Sequence, residues 1–237
     1  MFFTEEYVPR FDDYDSRGRF SLEAMFKVLE NISNHHAMAV SDRAVRGSIA
    51  WILVEWRLQV TRLPKFGETF SASTWAHSMS SGTTTNRDYQ VMDLNGGELI
   101  RARAKFALFD LKAGRLTGIS EDLMDTYKPE EKAMFCDELP RLREPEEYDE
   151  KRPILLRRSD IDINGHVHNT RYLDFALEAL PEDVYRTQPF GTVRIVYRSP
   201  LKFTEDAFIG IKRTEEGYIF GIYSGDRLCS LIELKQI

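Results

Sequence analysis

Two apolar runs at helical spacing mark the chain, and each is followed by a series of strand-like segments. In "SLEAMFKVLENISNHHAM", which starts at Ser21, the residues Leu22, Met25, Phe26, Leu29 and Ile32 recur at intervals of three and four. That spacing predicts an amphipathic helix. "NTRYLDFALEAL", which starts at Asn169, repeats the pattern with Tyr172, Leu173, Ala176, Leu177 and Leu180. Asn169 suits the N-cap of this second helix and Pro181 its end. Alternating segments follow near 50–60, 68–78, 83–93 and 98–110, and again near 190–198, 206–213, 217–223 and 227–235. The turn sequences "NGG" at Asn95, "EEG" at Glu215 and "SGD" at Ser224 predict tight connections, and so antiparallel pairing.

The two halves also share a short repeat, "KFGETF" from Lys65 and "KFTEDAF" from Lys202, each placed after a β-like run. A helix followed by four strands, occurring twice, predicts an α+β fold of two tandem units, each an antiparallel sheet around one helix. The expected units are residues 1–127 and 153–237. The intervening 128–152 is charged, interrupted by prolines and without a sustained period, and is expected to be a connector.

Composition narrows the class. With 42% hydrophobic and 30% charged residues the chain has the balance of a globular domain, and a net charge of −6 argues against a general nucleic-acid partner. The opening "MFFTEEYVPRF" lacks a basic segment followed by an apolar run, and no apolar stretch reaches the roughly 18 residues of a membrane span. The expectation is a cytoplasmic protein without a membrane span. Cys136 and Cys229 form no framework of bridges and are expected to be thiols.

The densest polar stretch is "SDIDINGHVHNTRYLDF", from Ser159 to Phe175. "DIDING" matches the first half of a calcium loop, but Arg171 stands where that loop places a bidentate glutamate, and a cation there would repel the ion. His166 and His168 have the spacing of two zinc ligands on one strand face, yet no third ligand is specified beside them except the aspartates. No metal or other cofactor is therefore expected. Aligning Ser21 with Asn169 sets Asp162, Asn164 and His166 opposite Tyr14, Ser16 and Gly18, so the polar set is expected in the second half alone. A structural turn should be about equally polar in both copies, whereas a site needs only one. The plainer reading stays open: Asp162 as a cap, Asn164 and Gly165 as a turn, His166 as a hydrogen-bonding loop residue. His35 and His36 are expected at the helix end or surface, and Glu178 is expected to face water.

These residues resemble the acyl-acyl-carrier-protein thioesterases, plant and bacterial enzymes built of two fused hot-dog domains. "DIDINGHVHN" is similar to that family's D-x-N-x-H-V-N-N motif, with Asp162, Asn164 and His166 at the polar positions. The first half resembles the family independently. Its long helix and "AWILVEWRL" strand, then "RLPKFGETFSASTW" and the "RDYQVMDL" strand, occur in the family's order. The resemblance implies a tandem hot-dog fold and hydrolysis of a fatty acyl thioester held on acyl carrier protein, with coenzyme A as a substitute carrier. It also implies an acyl-binding N-terminal domain and a catalytic loop in the C-terminal one.

Asp162, Asn164 and His166 are the catalytic candidates. A histidine titrates near neutrality and suits a general base, with Asp162 orienting it or helping to hold water and Asn164 positioning water or carbonyl. Backbone N–H groups at the start of the second helix would polarise the carbonyl. The apolar slot would draw on Phe26, Trp51, Trp56 and Trp75, most of them core, and an acidic carrier would favour a basic face. Arg141, Arg143, Lys151, Arg152, Arg157, Arg158 and Arg171 cluster in sequence near the loop. Two departures matter. The family's Tyr-x-x-Glu-Cys segment reads Tyr197, Arg198, Ser199, Pro200, Leu201, and the second motif asparagine is His168. Cys229 lies at a strand position where a small buried thiol is expected rather than a nucleophile. A slow or non-catalytic acyl-thioester binder, an acyl-CoA thioesterase and a hot-dog dehydratase remain alternatives. Tandem fusion already pairs two units, so monomer and homodimer are both compatible with the sequence.

Overall fold

A computed structural model describes residues 1–40 and 48–236. The chain divides into two compact units, Met1–Glu138 and Leu139–Ile237.

The first unit holds β1 (Phe3–Tyr7), α1 (Leu22–Ala39), β2 (Ile49–Val60), β3 (Phe70–Ser81), β4 (Thr84–Asp93), β5 (Glu98–Asp110), the two-residue β6 (Arg115–Leu116) and α2 (Glu121–Thr126). Its strands pair antiparallel in the order β1-β3-β4-β5-β2, with β6 added to β5. Helix α1 starts where Ser21 accepts the Ala24 N–H at 3.0 Å, a serine N-cap. Its apolar stripe buries Met25, Phe26, Leu29 and Ile32. Phe26 meets Trp56 of β2 edge-on at 5.5 Å, and Ser33 bonds Tyr89 of β4 at 2.5 Å. Together with its packing on β1 and β3, these contacts mean that the sheet curls around the helix.

The second unit repeats this plan with β7 (Glu150–Ile154), α3 (Asn169–Glu178), α4 (Glu182–Thr187), β8 (Phe190–Tyr197), β9 (Ala207–Arg213), β10 (Gly217–Ser224) and β11 (Arg227–Gln236). Its antiparallel order, β7-β9-β10-β11-β8, matches that of the first unit strand for strand. Tyr172, Leu173, Ala176 and Leu177 form the buried face of α3. Each unit is a hot-dog domain, and the eight strands expected from alternation are all present.

Pattern reading missed the edge strands β1 and β7. "FTEEY" and "EKRPI" carry too few apolar residues to show a period, because an edge strand is covered on one side only. The segment 128–152 is shared between the units. Trp75 donates to the Lys132 carbonyl at 2.7 Å and Arg57 lies 3.9 Å over the Phe135 ring, so the first part packs on the first unit. Farther on, Leu142 is buried with Val196 and Leu231, and Tyr148 lies over the paired glycines Gly210 and Gly221. A methyl group at Gly210 would sit 2.7 Å from the Tyr148 ring, so only glycine admits it.

Three local expectations are corrected. His36 lies in the last turn of α1, as expected, but not at the surface: it is fully buried under Phe3, stacked at 5.2 Å, with Nδ1 2.9 Å from the Arg87 guanidinium. The unforeseen β1 covers this last turn of α1, and burial together with Arg87 pushes the imidazole down to about 4. His35 is exposed beside Glu5. At the second helix His168, not Asn169, is the N-cap, because its N–H donates to the Asp160 carbonyl at 2.9 Å and fixes an extended backbone there. Helix α3 ends at Glu178, and Pro181 heads α4 instead.

Candidate active site

The stretch from Arg157 to Asn169 forms a closed loop ahead of α3. Asp160 is fully buried, and its carboxylate accepts the Arg157 backbone N–H at 2.8 Å and the Arg157 guanidinium at 3.0 Å. Arg171 approaches the same carboxylate at 3.5 Å and pairs with Asp174 at 2.8 Å, which gives the would-be calcium position a cation's role. One buried carboxylate held by two guanidinium groups fixes the loop base to the helix. Sequence reasoning did not single out Asp160.

Asp162 closes the tip. Its Oδ1 accepts the Asn164 backbone N–H at 2.8 Å and that of His166 at 3.0 Å, while Oδ2 takes the Asn164 side-chain amide at 3.3 Å. Its own N–H donates to the His166 carbonyl at 2.7 Å. The turn needs a left-handed residue, and Gly165 supplies it at φ 77°. The three candidates are thus brought together, but Asp162 holds His166 by its backbone and not by its ring. Asn164 is exposed and His166 partly so. Among the described residues no hydrogen bond engages the His166 imidazole.

Pro200 and Leu201, which the resemblance sets at the family's acid and thiol positions, lie directly against this loop. Val167 donates to the Leu201 carbonyl at 2.8 Å, and His166 bridges to Lys202. Leu201 is fully buried, and its N–H donates to the Tyr172 hydroxyl at 3.0 Å. Pro200 offers its carbonyl to Arg227 at 2.7 Å, and Arg227 also pairs with Glu205 at 2.5 Å. Cys229 is fully buried on β11, and its carbonyl accepts the Arg198 N–H at 2.8 Å. Burial pushes its thiol up, away from the thiolate a nucleophile needs.

A counterpart of this loop exists in the first unit, one residue out of step with the alignment made from sequence. Asp13 is held by Arg10 as Asp160 is by Arg157, and Ser21 donates to the Asp13 carbonyl as His168 does to that of Asp160. Asp15 accepts the N–H groups of Arg17 and Arg19 at 2.9 and 3.0 Å, and Gly18 takes φ 71°. The carboxylate expected in the second half alone therefore has a twin in Asp15. Both spans read Arg-x-x-Asp-x-Asp-x-x-Gly, a signal present in the sequence and hidden by the choice of Asn169 as the cap. Several positions differ, and three of them bear on the site. Asn164 and His166 replace Arg17 and Arg19, and His168 replaces the capping Ser21. Helix α1 has its serine cap, whereas α3 has no side-chain cap, and its Arg171 N–H turns back to the His168 carbonyl at 3.0 Å.

A family model described as "Acyl-ACP thioesterase N-terminal domain" matches residues 1–127, and one described as "Acyl-ACP thioesterase C-terminal domain" matches residues 143–222. The oleoyl-acyl carrier protein thioesterases of Coriandrum sativum and Arabidopsis thaliana are 24% and 25% identical over 221 residues, 83% of this chain. The chain spans only 58% and 59% of their lengths. The 12:0-ACP thioesterase from Umbellularia californica shares the fold at TM-score 0.89 with 17% identity, covering 100% of this chain and 97% of its own. An acyl-ACP thioesterase from Bacteroides thetaiotaomicron gives 0.86 with 21% identity, covering 99% and 97%.

Proposed function

The chain belongs to the acyl-ACP thioesterase family, and from that premise we propose that it hydrolyses a fatty acyl thioester carried on acyl carrier protein. Water adds to the carbonyl carbon, the carbon–sulfur bond breaks, and the products are the free fatty acid and the carrier thiol. His166 takes a proton from the attacking water and returns it to the departing thiolate, and Asn164 holds the water or the carbonyl through its exposed amide. Negative charge developing on the carbonyl oxygen meets the uncapped N–H groups of α3 and the positive end of its dipole.

The observation that carries this reading is the contrast between two loops of one framework. The second replaces two arginines by Asn164 and His166 and gives up a helix cap, a local stability cost of about 1 kcal/mol. Sequences break local rules where function requires it. Direct attack by water follows from Leu201 at the family's thiol position and from the buried Cys229. Acyl-chain binding falls to the first unit and catalysis to the second. Arg141, Arg143 and Arg158 are exposed and offer charge to an acidic carrier, while Arg157 and Arg171 are engaged with Asp160.

Pro200 and Leu201 favour one second reading, a protein that binds acyl thioesters with little turnover. Thiol release from a series of acyl-carrier-protein and acyl-CoA thioesters separates the two. Hydrolysis liberates thiol in proportion to fatty acid, and a binder liberates none.

A further inference from the structure

Inside the first unit, two polar groups of one patch have no partner. Trp56 on β2 is 1% exposed, and no acceptor among the described residues takes its indole N–H. Glu30 on α1 makes no ion pair or hydrogen bond among the described residues. Phe26, Glu30 and Ser33 follow one stripe of α1 at helical spacing. Phe26 meets the Trp56 ring at 5.5 Å, and Ser33 bonds the Tyr89 hydroxyl at 2.5 Å. The Trp56 and Tyr89 rings, from β2 and β4, lie 4.9 Å apart and reach each other over the small Ala102 and Ala104 of the intervening β5. Glu30 is thus flanked by both contacts, and burial, with a contribution from the Glu30 charge, pushes the Tyr89 phenol up.

The neighbouring hydroxyls satisfy each other: Ser33 donates to the Leu29 carbonyl at 3.0 Å, so Tyr89 gives its proton to Ser33. Glu30 keeps part of its surface open, yet its carboxyl is stripped of water and pushed up to about 7, which describes a recess rather than a free surface. Burying a donor without an acceptor is costly, and a plain hydrocarbon chain offers it nothing. An alcohol matches both groups, because its oxygen accepts from the indole and its O–H donates to the carboxylate. We infer that the first unit takes an acyl chain bearing a hydroxyl group, held between Trp56 Nε1 and the Glu30 carboxyl. The inference rests on the thioesterase reading, with the chain in the first unit, and names its substrate class.

The test compares kcat/KM for thiol release from acyl-carrier-protein thioesters of one chain length, unsubstituted or with a single hydroxyl moved along the chain. At one position the parent favours the hydroxylated chain by at least about tenfold, because a site that hydrogen-bonds a hydroxyl rejects the analogue lacking it. Trp56→Phe, which keeps a ring, and Glu30→Leu each bring that ratio to within about twofold of unity. In parallel, NMR of the indole N–H groups, with the Trp56 signal resolved from those of Trp51 and Trp75, shows it moving downfield with the free hydroxy acid and staying in place with the unsubstituted acid. No preference at any hydroxyl position would overturn the inference, the indole then holding water alone. A preference that survives in Trp56→Phe, or an indole signal unmoved by every hydroxy acid, would overturn it too. If neither variant folds, the parent's preference and its indole signal decide. Failure of the thioesterase reading looks different: the parent releases thiol from no thioester, and the indole signal still reports whether the hydroxy acid is bound.

Discussion

Glu30, on α1 of the first unit, has no ion-pair partner among the described residues, although part of its surface stays exposed. Burial of its carboxyl pushes it from 4.5 up to about 7. Between those values the folded chain keeps a proton that the unfolded chain has released. Stability therefore falls as pH rises through this window, and the full penalty stands above it. Glu30→Gln removes the penalty, so its melting temperature should exceed the parent's by more at about pH 8 than at about pH 5. An equal difference at both pH values would show that Glu30 ionises freely in the fold. Burial of this kind was not legible from residue type, since a helical glutamate ordinarily faces water. His36 failed for a related reason, because the strand that covers it has no apolar period of its own. Cys229, by contrast, was readable as a small apolar residue in a strand, and it is buried.

At the scale of elements, the long strands and both long helices were legible because each has one buried face and one wet one. What the periodicity could not give was how each helix begins. Caps are single residues, and Asn169 is the better capping type, but the Asp160 carbonyl fixes the N-cap at His168 instead. That one-residue difference concealed the matching Asp15 and shifted the informative contrast from the carboxylate to Asn164, His166 and His168. His168→Ser restores at α3 the cap that Ser21 gives α1. It should stabilise the protein by about 1 kcal/mol in chemical denaturation and, by occupying the helix N-terminus, slow thiol release several-fold. Stabilisation without slowing would mean that the α3 terminus takes no part in the reaction.

Over the whole molecule, two units share one strand order and one loop framework, and the difference in chemistry between them comes down to a few side chains. The tandem plan was legible because helix and strand periods repeat in the same sequence twice. The division of 128–152 between the units was not, since Phe135, Leu142 and Tyr148 are isolated apolar residues in a charged stretch, and only packing shows which sheet each one covers. Among the described residues no helix is long and apolar enough to cross a membrane.

Under the proposed function, the loop from Asp162 to His166 hydrolyses acyl thioesters by direct attack of water. Its most direct test is the steady-state rate of thiol release from fatty acyl-carrier-protein by the parent, His166→Ala and Cys229→Ser. The parent should turn over, His166→Ala should lose roughly a hundredfold or more, and Cys229→Ser should stay within about threefold of the parent. Full activity in His166→Ala, or an acylated Cys229 recovered from turnover with loss of release in Cys229→Ser, would contradict it.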